Sequence, residues 1–227
     1  MVKIMRTLAI LVSLALSIAL PAQAQSQTRL LVIGDSLSRC LYASSEANGF
    51  RFVVADALDA AVGRMPGATL EEAEQYWPTW EWQADIILVE FGTNDIRNLD
   101  AIPEAEWPAR YGAFLDAVQA TGARVVVSNS PWLGRWPEHP EYDIVVRFNA
   151  YIAAEATARD IPVADLWTTT YGHTEYLSQP GEPSPFPPGF EGDGFHPNDA
   201  GHRAIADEFL RVLGPHQYWF PLFWRTR

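Results

Sequence analysis

The sequence predicts one α/β domain, a five-stranded parallel sheet covered by helices on both faces. Three observations predict it. Short apolar runs rich in Val, Ile and Leu recur along the chain, the composition of strands buried on both faces. Stretches with helical signals separate the runs. Two runs end in glycine followed by small polar residues, Gly34-Asp35-Ser36 and Gly92-Thr93-Asn94-Asp95, as strands do where they turn into helices at a carboxyl edge.

The first run, Leu30-Leu31-Val32-Ile33, reads as a buried strand, and Gly34 allows a tight turn after it. Asp35 and Ser36 are good N-caps, so a helix is expected from Ser36 to about Glu46. Asn48-Gly49 signals a turn, and Phe50 to Ala55 reads as the second strand. Residues 62–69 read as a loop with two glycines. Thr69 with Glu72 forms a capping box for a helix that stops near Pro78. Asp85 to Phe91 is the third strand. Glu104 to Ala120 is an amphipathic helix, closed by Gly122. Arg124 to Ser128 is the fourth strand, Glu141 to Arg159 a helix, and Ile161 to Leu166 the fifth strand. Residues 178–195 form a Pro- and Gly-rich loop long enough to suggest function. A last helix runs from Ala200 to about Leu213, and the aromatic tail Tyr218–Trp224 is expected to pack onto the domain. There is no repeat and no linker, so residues 25–227 read as a single domain with a sizeable core.

Residues 1–24 are set apart. Lys3 and Arg6 precede the apolar stretch Leu8–Leu20, and Ala22-Gln23-Ala24 is a small-residue cleavage site, the pattern of a secretory signal peptide. It predicts an exported protein, periplasmic or extracellular, with no stable membrane anchor after cleavage. Cleavage removes the two cations Lys3 and Arg6, so the net charge of −12 becomes −14. Such an acidic chain lacks the cationic footprint that nucleic acid requires. It retains no lysine, which excludes Schiff-base chemistry and a Walker-type phosphate loop. Cys40, the only cysteine, precludes an intrachain disulfide and reads as a small buried residue.

Three elements carry chemistry. Ser36 stands where a strand ends, its hydroxyl beside the first amides of the following segment. Asp193-Gly194-Phe195-His196-Pro197 places a histidine and an aspartate on one loop, a base and the acceptor that would fix its tautomer. Asn94 and a loop glycine offer N–H groups for a developing oxyanion.

Gly34-Asp35-Ser36-Leu37-Ser38, Gly92-Thr93-Asn94-Asp95 and Asp193-Gly194-Phe195-His196-Pro197 resemble three of the four sequence blocks of the SGNH/GDSL hydrolases, in that family's order. The resemblance spans residues 25–227 and implies a flavodoxin-like three-layer α/β/α sandwich. It implies that Ser36 is the nucleophile and an oxyanion N–H donor, that Asn94 is the side-chain oxyanion donor, and that His196 is the base, oriented by Asp193. The fourth block, a glycine, is matched by Gly67 through Gly-x-Thr with Thr69, and by Gly63 in a Gly-Arg variant; both stay open. The G-x-S-x-G elbow of the α/β-hydrolases is absent.

His202 is expected to be packed in the last helix. His139, His173 and His216 lie in loops without a metal-ligand spacing, so no metal and no organic cofactor is expected. Asp35 and Asp95 are expected to brace their loops. Trp77, Trp80, Trp82, Trp107, Trp132 and Trp136 are expected in and around the loops of the site, where rings pack or stack on sugars. The reading is a secreted serine esterase acting on a small-molecule or glycan ester. The alternatives are an O-acyltransferase or glycan deacetylase using the same site, and a non-catalytic binding module on the same fold.

Overall fold

In the computed structural model, residues 27–66, 69–181 and 191–215 are described. The apolar runs form one parallel sheet of five strands: β1 (Thr28–Gly34), β2 (Ala60–Pro66), β3 (Ile86–Glu90), β4 (Arg124–Ser128) and β5 (Val163–Ala164). The spatial order is β2-β1-β3-β4-β5. The chain therefore starts mid-sheet, moves outward to β2, and then crosses to the other side of β1. That reversal opens a crevice beyond the carboxyl ends of β1 and β3, the place where such sheets bind ligands. Gly34 pairs with Pro66 on one side and with Glu90 on the other, so the three strands end level.

The helices are α1 (Phe50–Ala57), α2 (Leu70–Tyr76), α3 (Trp107–Gln119), α4 (Tyr142–Thr157), α5 (Leu166–Thr170) and α6 (Asp199–Leu213). Alternation along β1 sends Leu31 and Ile33 into one core with residues of α2, α3 and α4, and Leu30 and Val32 into another with residues of α1 and α6. That is the expected three-layer α/β/α sandwich.

Three expectations are corrected. Residues 36–46 are not a helix but a chain of turns. Cys40 and Tyr42 adopt left-handed backbone conformations, at φ 60° and 67°, that no helix continues through. Residues 50–55 are not a strand but the start of α1. The i, i+4 pair Phe50 and Val54 is fully buried, which is a helical period, whereas alternation was not present. The second strand lies instead at Ala60–Pro66, read from sequence as running into a loop. This weak strand former is recruited by its neighbour β1 and tolerates Pro66 at its end because it is an edge strand. Gly63 belongs inside it: a Cβ there would meet the Trp82 ring at 2.8 Å.

The capping reading holds at Thr69, whose side chain accepts from the Glu72 amide at 3.3 Å. The leader 1–24, Gly67, His216 and the tail Tyr218–Trp224 lie outside the described residues. No described helix is long and apolar enough to cross a membrane.

The start of α6 fixes the loop before it. The Asn198 side chain accepts from the Gly201 amide at 3.1 Å and donates to the carbonyls of Glu175 at 2.8 Å and Leu177 at 3.0 Å. Asn198→Ala is expected to lower stability by about 1–2 kcal/mol in urea unfolding, because it removes an N-cap and two loop bonds together. Asn198→Asp, which keeps the acceptor alone, should recover part of the loss.

Candidate active site

Ser36 follows β1 directly. The Leu37 amide donates to Asp35 Oδ1 at 2.9 Å and the Ser38 hydroxyl to the Asp35 carbonyl at 2.8 Å, so the turn carrying Ser36 is closed on itself. Asp35 is thus the brace that the sequence suggested. Asp95 is another: its Oδ1 accepts from the Leu70 amide at 3.0 Å and from Trp107 Nε1 at 2.9 Å.

The loop before α6 brings the other members. His196 Nε2 lies 2.8 Å from Ser36 Oγ, across 160 residues of chain. His196 Nδ1 lies 2.6 Å from Asp193 Oδ2. Asp193 Oδ1 accepts from the amides of Phe195 at 2.9 Å and His196 at 2.8 Å, and from the Ser178 hydroxyl at 3.0 Å. Partial burial would raise the Asp193 carboxyl, but the His196 ring and these amides outweigh it and hold it at about 2. It is therefore ionised, and its charge favours an Nδ1–H tautomer, which leaves Nε2 free to take the Ser36 proton.

The imidazole is held on its faces and edges. The Tyr42 ring stacks on it with centroids 5.0 Å apart, and Phe195 meets it edge-on at 5.3 Å. Phe195 is itself gripped by two guanidiniums, Arg97 at 4.4 Å and Arg135 at 4.8 Å. Glu141 pairs with both, at 2.7 Å and 2.9 Å. Sequence reading missed Ser178, Tyr42, Arg97, Arg135 and Glu141, because each acts through a contact far along the chain. It also missed Glu90, although a carboxylate closing an apolar strand was a visible signal.

Asn94 opens the 3₁₀ turn Asp95–Arg97, four residues beyond Glu90. Ser36 is two residues beyond Gly34, and Gly34 pairs with Glu90, so the two loops leave neighbouring strands side by side. Gly92 takes φ 123°, a conformation open to glycine, and turns the chain from β3 into that loop. Gly63 is not brought to this edge. It pairs with Leu31 in mid-strand, three residues before β2 ends, beneath Trp82.

The tryptophans divide. Trp107 and Trp132 are fully buried, and Trp136 is exposed near the carboxyl edge. Trp77, Trp80 and Trp82 correct the expectation: with Arg29, Asp85, Thr121 and Gly122 they line a pocket of about 520 Å³ at the amino edge of the sheet, away from Ser36. His202 is fully buried in α6 and bonds the Leu41 carbonyl at 3.0 Å. Burial pushes it down to about 4 and pushes the Cys40 thiol up to about 11, so neither is a ready base or nucleophile. Among the described residues no three His, Cys, Asp or Glu side chains are grouped to hold a metal ion.

A parallel α/β sheet with a hydroxyl, an imidazole and a carboxylate in one hydrogen-bonded row at its switch point defines the class of acyl-handling hydrolases. The chain belongs to the GDSL-like lipase/acylhydrolase family, whose sequence profile matches residues 32–204, and it is a carboxylic ester hydrolase. No curated protein sequence gives a significant match. Solved structures share the fold. A catalytic mutant of an acetylxylan esterase from Geobacillus stearothermophilus superimposes with a TM-score of 0.65 at 16% identity, covering 88% of this chain and 97% of that one. A member of the lipolytic G-D-S-L family from Veillonella parvula gives 0.61 at 18% identity, over 82% and 97%. An alpha/beta hydrolase from the metagenome of Lake Arreo, Spain, gives 0.60 at 18%, over 82% and 94%.

The Asp193 carboxyl makes a pH prediction. Its folded value lies below its ordinary one, so its contribution to stability is present above about pH 4 and is lost as pH falls toward about 2. The stability gap between the wild-type protein and Asp193→Asn should therefore shrink between pH 4 and 2. Urea midpoints across that range check it; a gap that widens on acidification contradicts the assignment.

Proposed function

We propose that this chain is an exported serine esterase that cleaves carboxylic esters through a covalent acyl-enzyme. The observation that carries the reading is the continuous row from Ser36 Oγ through the His196 ring to Asp193, at 2.8 Å and 2.6 Å. Ser36 Oγ attacks the ester carbonyl as its proton passes to His196 Nε2. Asp193 stabilises the resulting imidazolium. The tetrahedral intermediate collapses, the leaving alcohol takes the proton from Nε2, and the acyl group stays on Ser36. Water, deprotonated by the same nitrogen, attacks the acyl-enzyme, and its collapse releases the acid and returns the proton to Ser36. The Ser36 amide, the Asn94 side chain and one glycine amide serve the oxyanion. Because Gly63 is held under Trp82 in mid-strand, Gly67, directly after β2, is the glycine we assign to that task. Residues 1–24 act as the signal peptide, and 25–227 form the enzyme.

The structural neighbours lend support to one substrate class. Acetylxylan esterases recur among them, which favours acetylated glycans and keeps the deacetylase reading as a special case of the same chemistry. The net charge of −14 left after removal of Lys3 and Arg6 from the −12 of the whole sequence suits a neutral ester better than a polyanionic one.

Ser36→Ala is expected to fold and to lower hydrolysis by several powers of ten, since members of such a row act as a unit. A fluorophosphonate should label Ser36 alone. Near wild-type turnover in Ser36→Ala refutes the reading. Asn94→Ala should lose roughly 10²–10³ in turnover, about 3–4 kcal/mol, with little change in KM. Gly67→Ala should cut turnover, whereas Gly63→Ala should lower stability through its clash with Trp82 and spare turnover; the opposite result moves the donor to Gly63. A panel of nitrophenyl esters beside acetylated xylo-oligosaccharides ranks the acyl and alcohol portions. Mass spectrometry of the exported protein should find Gln25 at the N-terminus.

A further inference from the structure

We propose that Glu90 is the residue that positions the nucleophile: its carboxyl, wedged between the ends of β1 and β3, fixes the turn that carries Ser36. The inference rests on the reading of Ser36 as the nucleophile.

Glu90 is the last residue of β3 and pairs with Gly34, the last residue of β1. It is 2% exposed. Its carboxyl lies over the Gly34 Cα: a Cβ at Gly34 would stand 2.7 Å from Glu90 Oε2 and 2.9 Å from the Ser38 Cβ, and would collide with the Glu90 carbonyl. Gly34 is thus glycine because of this close approach, not because of its backbone angles. The backbone amides of Asp35 and Ser38 lie near the carboxyl and favour its charged form, against the larger effect of burial. These two residues flank Ser36-Leu37, and Asp35 Oδ1 takes the Leu37 amide. The Glu90 carboxyl is thus packed against Gly34 and Ser38, on either side of Ser36-Leu37.

The chemistry of the location argues against a packing role. The other four residues of β3 are buried aliphatics, Ile86, Ile87, Leu88 and Val89. A fifth would satisfy the core without desolvating a carboxyl. Instead Glu90 Oε2 and Asp35 Oδ2 are both buried without a hydrogen-bond partner. Burial, and then the Asp35 charge, push the Glu90 carboxyl well above the usual range. Buried polar groups left incomplete beneath a reactive turn are retained for function more than for stability.

Three variants test it: Glu90→Leu removes the acceptor at similar volume, Glu90→Asp withdraws it by one methylene, and Glu90→Gln keeps it. Unfolding, kcat, KM and the rate of fluorophosphonate labelling of Ser36 are measured for each. Folded Leu and Asp variants should lose roughly 10² in kcat and in labelling rate, with KM within about twofold, because a small misplacement of the nucleophile has that effect. Gln should stay within about tenfold of wild type. Wild-type kcat in a folded Leu or Asp variant overturns the proposal, as does a Gln variant as impaired as the others. If Leu does not fold, the Asp and Gln pair decides. Absence of Ser36 labelling in the wild-type protein refutes the nucleophile itself, whereas equal labelling of wild type and all variants refutes only the role of Glu90.

Discussion

The reversal of strand order between β1 and β3 is the constraint on which the rest depends. A parallel sheet that grew in one direction only would cover its carboxyl edge with successive crossovers. Here the chain leaves β1 for β2 and then returns to the far side of β1. The turn after Gly34 and the turn after Gly92 leave neighbouring strands at that reversal, where sheets of this kind place their ligands. Ser36 and Asn94 come from those two turns. Their relative position is set by the register of Gly34 with Glu90, a backbone property that no surface loop could hold as firmly.

The imidazole has to reach this crevice from the other end of the chain, and the structure shows how a long loop delivers it. The Ser178 amide donates to the His196 carbonyl at 2.8 Å, and the Gly194 amide donates to the Ser178 carbonyl at 3.0 Å. Ser178 Oγ also meets Asp193. The two described ends of the loop are thus sewn together beside Asp193 and His196. From the far side, Phe195 is clamped by Arg97 and Arg135, with Glu141 neutralising part of their charge. Arg97 follows Asn94 by three residues, so the segment bearing the proposed oxyanion donor also helps to hold the segment bearing the base.

Much of this was legible in the sequence, for identifiable reasons. The fold class and the strands at 30–33, 86–90 and 124–128 follow from aliphatic runs that have one interpretation. The triad candidates stand at strand and helix ends, where local composition marks them. Phe50–Ala57 misled because Phe and Val favour strands; its i, i+4 burial, set by packing on α6, overrode that preference. Ala60–Pro66 misled in the other direction, since its glycine and proline spoke for a loop while β1 offered an unpaired flank. Ser36–Glu46 carried helix caps but no helix, because Cys40 and Tyr42 take left-handed backbone conformations that interrupt it. Tyr42 thereby comes to lie against His196. Contacts such as that one, or Glu90 over Gly34, leave no periodic trace and need the fold to be seen.

The carboxyls near Ser36 show how environment assigns chemistry to one functional group. Asp193 is a third exposed and receives three donors besides the imidazole, so it stays ionised and can stabilise a cation beside it. Asp35 and Glu90 are buried beneath the turn, and burial pushes both carboxyls upward, with the Asp95 charge adding to the shift of Asp35 and the Asp35 charge to that of Glu90. If all three were ionised, the negative charge under Ser36 would oppose the oxyanion that must form beside it. Burial removes that conflict by favouring uncharged carboxyls below the proposed nucleophile, while the hydrogen-bonded loop keeps the charge at His196, the proposed base. The separation arises from the strand register and from the loop's amides, and the overall acidity of the chain has no part in it.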